Sequence, residues 1–134
     1  MHWSRQYIGA PYAESPGAGE FNCWTLVVDV QRRIYGREVP HIHPGDFSAR
    51  SLVRMFREHD ELERWRELAG AEHLSDGDVV LMSHSRAPHH CGIYLSADGG
   101  RILHAEEGVG VVAQSFTSLR SCGWGAFRSF TYAR

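Results

Sequence analysis

The sequence contains no C-x-x-C pair, and its cysteines, Cys23, Cys91 and Cys122, form an odd and widely spaced set. That excludes a disulfide framework or a cysteine-built zinc site as the organising principle, so free thiols are expected. No apolar run is long enough to cross a bilayer, and the segment from Met1 to Gln6 lacks the basic head and apolar core of a signal peptide. Synthesis in a cytosol, without a membrane partner, is the expectation. Positive charge is not in excess either: 14 Lys plus Arg stand against 16 Asp plus Glu, which argues against nucleic acid as a partner. Internal repeats, low-complexity tracts and an H-E-x-x-H motif are also missing.

What is present suits a packed globular core. Hydrophobic residues make up 43% of the 134 positions and charged residues 22%, so disorder is excluded and one domain over 1–134 is expected. The apolar pattern changes period about halfway along, with helices first and strands later. Residues from Tyr7 to Gly19 are rich in Gly and Pro and read as an ordered loop, followed by Asn22 as a helix N-cap. A helix is then predicted from Cys23, carrying Leu26, Val27, Val30 and Ile34 on one face and stopping at Gly36. A second helical zone is predicted from Ser48 to Leu68, with Leu52, Val53, Phe56, Leu62, Trp65 and Leu68 as its apolar positions.

Beyond Asp76-Gly77-Asp78 the texture is that of short strands: Val79 to Met82, Cys91 to Leu95, Arg101 to Ala105, Val109 to Gln114 and Ala126 to Tyr132. They predict a meandering antiparallel sheet with a short helix near Phe116 to Leu119. Asp76 and Asp78 are expected to bond their own turn rather than to act as an acid pair.

Two features bear on chemistry. Cys23 at the first turn of a helix lies near free backbone N–H groups and the positive end of the macrodipole, which favours thiolate. Alternation along Ala87 to Leu95 puts Cys91, Ile93 and Leu95 on one face and His90, Gly92 and Tyr94 on the other. If Ser96 to Gly100 form the hairpin loop, Leu95 pairs with Arg101, Gly92 lies opposite His104, and His90 and His104 become diagonal neighbours. Two imidazoles so placed suit a base and the group that orients it. The competing chemistry is a metal held by some of the nine histidines, among them His41, His43, His84, His89 and His90. Adjacent His89 and His90 face opposite ways in a strand and no metal-ligand spacing occurs, so neither a metal nor any other cofactor is expected.

Three segments resemble the NlpC-type peptidoglycan peptidases of the papain-like superfamily, and most closely its short phage-tail-associated members. The first is Tyr7-Ile8-Gly9-Ala10-Pro11-Tyr12 with Phe21-Asn22-Cys23-Trp24-Thr25-Leu26-Val27. The second is Asp76-Gly77-Asp78-Val79-Val80-Leu81-Met82 leading to His90-Cys91-Gly92-Ile93-Tyr94, and the third is Leu103-His104-Ala105 with Gly108-Val109-Gly110-Val111-Val112. The resemblance implies an α+β fold in which a Cys-bearing helix packs on an antiparallel half-barrel. It implies Cys23 as nucleophile, His90 as base, His104 as third polar residue and Tyr12 lining the site. The chain departs from the pattern at Asn22, where Asp is usual, and at Cys91, where an aliphatic residue is usual.

The function that the resemblance implies is hydrolysis of an amide bond in peptidoglycan stem peptides, of the γ-D-glutamyl-diamino acid type. Delivery to the wall in a phage tail or by a secretion apparatus is expected, with proteins of those assemblies as further partners. The alternatives are a weak or inactive wall-binding tail module, a secreted amidase effector and an acyltransferase on the same scaffold.

Overall fold

A computed structural model of the chain describes residues 2–40, 54–55, 64–69, 73–84 and 87–132. Its main helix, α1, spans Cys23–Tyr35. Asn22 caps it reciprocally: the Asn22 side chain accepts from the Thr25 N–H at 2.8 Å while the Asn22 N–H donates to Thr25 Oγ1 at 2.9 Å. Gly36 ends the helix in the left-handed conformation with its N–H on the Arg32 carbonyl. Leu26, Val27 and Val30 are buried, and each such side chain removed from water contributes about 1.5–3 kcal/mol.

The strands are β1 (Trp65–Glu67), β2 (Val79–His84), β3 (Ala87–Leu95), β4 (Arg101–Glu106), β5 (Gly110–Gln114) and β6 (Ala126–Tyr132), with α2 (Phe116–Ser121) between the last two. They form one antiparallel sheet in the order β1-β6-β2-β3-β4-β5. The predicted meander holds for β2 through β5. It fails at β6, which crosses back to pair with β2, because α2 carries the chain over the sheet to the other edge of that hairpin set.

The predicted helical zone from Ser48 to Leu68 is corrected at its end. Trp65 to Glu67 form a strand whose partners are Tyr132, Thr131 and Phe130. Tertiary pairing overrides the helical spacing there: Trp65 is buried against the core and packs edge-on to Tyr132. Arg54 and Met55 are helical, Arg64 and Leu68 flank the strand, and residues 48–53 and 56–63, with Leu52, Val53, Phe56 and Leu62, lie outside the described residues.

Both faces of the sheet are covered, and alternation decides which residue faces which cover. Val79 and Leu81 of β2, Cys91, Ile93 and Leu95 of β3, and Leu103 and Ala105 of β4 form one core with α1. Val80, Met82 and Ile102 form a second, smaller core with Leu119 of α2, joined by Tyr94, Phe116, Trp124 and Phe127. Helix α1 is further tied to the turn before β2, since the buried Gln31 amide donates to the Gly77 carbonyl at 2.8 Å. Asp78 bonds its own turn as expected, accepting from the Ser75 N–H, and also accepts from the Thr131 hydroxyl; Asp76 instead accepts from Ser96 after β3 and ties the turn to that loop.

The loop before α1 is ordered by backbone pairing. Gly9 N–H donates to the Val111 carbonyl and Val111 N–H to the Ala10 carbonyl, both at 2.9 Å. A Cβ at Gly110 would lie 2.6 Å from the Ala10 carbonyl oxygen, so only glycine allows this approach. An isolated bridge between Tyr12 and Phe21 then carries Tyr12 to the start of α1.

Gly92 fixes how closely β3 and β4 lie. A Cβ there would meet Ile102 Cγ2 at 2.5 Å and the Leu103 carbonyl oxygen at 2.6 Å, and the backbone atom cannot swing aside. Gly92→Ala is therefore expected to lower the unfolding free energy by about 1–3 kcal/mol. Gly125→Ala, where a Cβ meets nothing within 4 Å, serves as the near-neutral control. Urea unfolding of both variants checks this, and equal stability of the two would contradict the close approach.

Candidate active site

Cys23 is the first residue of α1, so its N–H belongs to the donors that have no acceptor inside the helix. Its half-buried sulfur is close enough to the His90 ring and the Cys91 side chain for both to act on it electrostatically. These two neighbours face opposite sides of the sheet. The β3–β4 ladder runs from Leu95↔Arg101 to Ile93↔Leu103 and stops there, short of Cys91 and His90. Past that point β3 is paired with β2 alone, through Leu81↔Cys91 and Met82↔His90.

The register expected from the hairpin is the one observed, with Leu95 paired to Arg101. It brings the two imidazoles into direct contact. His90 Nε2 lies 2.8 Å from His104 Nδ1, with the rings edge-to-face at 85°. His104 is fully buried, and its Nε2 lies 2.7 Å from Gln114 Oε1. Since Nε2 of His90 is engaged by His104, Nδ1 is the nitrogen left for Cys23. Trp124 stacks on the His90 ring at a centroid distance of 5.2 Å and an interplanar angle of 21°. His90 is thus held edge-on by one aromatic ring and face-on by another.

The electrostatics follow from these contacts. The Cys23 thiol is held below its ordinary pKa, chiefly because the Cys91 S–H donates to the thiolate, with the His90 hydrogen bond and charge adding to the effect and burial opposing it. Cys91 responds in the opposite sense: burial and the adjacent Cys23 push its thiol up. Burial, then the charge of His90, lowers His104 to about 4, so it stays neutral at neutral pH. Tyr12 is raised by burial first and by the Cys23 charge second, which keeps its phenol protonated.

Of the residues selected from the sequence, His90 and His104 are in direct contact, Cys23 lies beside them at the start of α1, and Tyr12 bridges to Phe21 just before that helix, near enough to feel the Cys23 charge. The sequence reading missed three neighbours: Gln114, which bonds His104; Trp124, which covers His90; and the Cys91 thiol, which was read only as an inward-facing core residue. Among the described residues no group of three or more His, Cys, Asp or Glu is arranged to hold a metal. His41 and His43, and the side chains of His84 and His89, lie outside the described residues.

The Cys91 contact carries a test. Cys91→Val removes the S–H donor and leaves an apolar side chain of similar volume, so the stabilisation of the Cys23 thiolate falls and its pKa rises. Thiolate ultraviolet absorbance, recorded against pH and referenced to Cys23→Ala, is expected to titrate at higher pH in the Cys91→Val protein. An unmoved titration would mean that Cys91 does not donate to Cys23.

The comparison with known proteins agrees with this geometry. The family model described as "NlpC/P60 family" matches residues 9–126. No curated protein sequence matches the chain. The matched span runs from the loop carrying Tyr12, through α1 and the His90 and His104 strands, to the first residue of β6. The chain belongs to the NlpC/P60 family, whose members are generally cysteine peptidases and amidases of the cell wall.

Proposed function

We propose that the protein is a thiol hydrolase that cleaves an amide bond in peptidoglycan stem peptides, of the γ-D-glutamyl-diamino acid type. The observation that carries the reading is the Cys23 sulfur set at a helix start beside His90, whose far nitrogen is already bonded to His104. The bond type and delivery by a phage tail rest on the sequence resemblance and belong to the same proposal.

In this mechanism the Cys23 thiolate attacks the carbonyl carbon and the carbonyl oxygen becomes an oxyanion. The Cys23 N–H and the protonated Tyr12 phenol are the donors available to stabilise it. The tetrahedral intermediate collapses with cleavage of the C–N bond, and His90 gives the proton on Nδ1 to the leaving amine. His90, now neutral, takes a proton from water as that water attacks the thioester. Collapse of the second intermediate releases the carboxylic product and regenerates the thiolate–imidazolium pair. His104 stays neutral throughout and acts by orienting His90.

The decisive assay incubates the purified chain with peptidoglycan, EDTA present, and follows newly exposed amines and split stem peptides. Cys23→Ala is expected to fold normally and to show no turnover. His90→Ala is expected to lose about 10²–10⁴-fold in kcat, the usual contribution of a positioned base. His104→Ala should lose less, since it moves no proton to or from substrate. Turnover by Cys23→Ala would eliminate the mechanism. An intact protein that binds peptidoglycan without cleaving it would favour the wall-binding module instead.

A further inference from the structure

The hydrogen-bond chain does not end at His104. Gln114, the last residue of β5, lies opposite Ile102, and His104 is two residues further along β4, so Gln114 and His104 are same-face diagonal neighbours. Gln114 Oε1 lies 2.7 Å from His104 Nε2, and Gln114 Nε2 donates to Ser118 Oγ on α2 at 3.0 Å. Cys122 Sγ lies 4.0 Å from the same nitrogen. Ser118 is itself placed by the helix start, its N–H donating to Ser115 Oγ.

A neutral imidazole donates from one nitrogen and accepts at the other, whereas an imidazolium donates from both. If His90 is to pair as an imidazolium with the Cys23 thiolate, its Nε2–H needs an acceptor, which is the lone pair on His104 Nδ1. His104 must then carry its own proton on Nε2, and that N–H needs an acceptor in turn. A carbonyl oxygen supplies it; an amide NH2 at the same place would force the proton of His104 onto Nδ1 and set N–H against N–H between the two rings. We propose that Gln114 is a positioning residue whose side-chain carbonyl fixes His104 as the Nε2–H tautomer and thereby sets the direction of the chain that lets His90 hold two protons.

The amide is held in that orientation from α2. Its NH2 end meets the hydroxyl of Ser118 and the sulfur of Cys122, both able to accept, while its oxygen meets the ring N–H of His104. Helix α2 is therefore coupled to Cys23 through four side chains, Ser118, Gln114, His104 and His90. His104 is lowered by burial, so it remains a neutral relay member rather than a competing cation.

The consequence at Cys23 rests on the thiol-hydrolase reading, but the tautomer of His104 does not, and the two are measured separately. In the 15N-labelled full chain, long-range imidazole 1H–15N correlation spectra, with His104 assigned by its loss in His104→Ala, are expected to show Nε2 protonated and Nδ1 bare at neutral pH. Gln114→Glu retains an acceptor and should keep that pattern. Gln114→Met removes the acceptor at similar volume and should yield a mixture of tautomers, with Cys23 alkylation moving up by about one pH unit. A His104 proton on Nδ1 in the unmodified protein would overturn the proposal even if Gln114→Met failed to fold. An unchanged His104 pattern in a folded Gln114→Met protein would overturn it too. The Nε2–H tautomer together with an ordinary, alkaline alkylation profile at Cys23 would support the role of Gln114 while counting against the thiol-hydrolase reading.

Discussion

The hydrogen bond between His90 Nε2 and His104 Nδ1 needs two strands at a close and fixed separation. Gly92 provides that separation, because any side chain there would collide with the Leu103 backbone and the base of His104. Once the strands are set, His90 can face Cys23 only with its other nitrogen. His104 is fully buried, and that burial keeps it neutral, which preserves it as an acceptor. The site is thus a product of backbone packing, and its charges depend on an interstrand distance.

A two-sided sheet makes this arrangement possible. Helix α1 covers one face and brings the Cys23 sulfur and the first-turn N–H groups; α2 covers the other and brings the Ser118 hydroxyl against Gln114. Cys91 faces the α1 side and His90 the α2 side, yet both act on the same sulfur. A thiol in place of an aliphatic side chain gives this chain a second donor to the Cys23 thiolate besides the imidazole. Asn22, where Asp is usual, retains the cap without adding a negative charge beside the thiolate, which the Cys91 S–H and His90 stabilise.

Much of this was legible in the sequence because it depends on local rules. Asn22 before Cys23 and Gly36 after Tyr35 mark the ends of α1 through capping chemistry, and the stretch from His90 through Leu95 alternates between the two faces. A hairpin loop between Leu95 and Arg101 then fixes the His90–His104 diagonal by counting. Gln114 follows the same rule one hairpin further, but its register depends on where the turn from Glu106 to Gly110 begins, which spacing alone does not set. Trp124 stacks on His90 through the path of α2, and Cys91 meets Cys23 through the docking of a helix on a sheet; both are long-range contacts without a local signature. Trp65 shows the opposite failure, a helical spacing overridden by pairing with a strand at the far end of the chain.

The central claim, that the resting protein holds a thiolate at Cys23, is tested most directly by brief iodoacetamide labelling of the unmodified chain across a pH series, followed by peptide mapping. A free cysteine thiol titrates at about 8.5, and a partnered one several units lower. Cys23 should label first and already at mildly acidic pH, ahead of exposed Cys122, and buried Cys91 last. Labelling of Cys122 or Cys91 ahead of Cys23 at acidic pH would contradict the account.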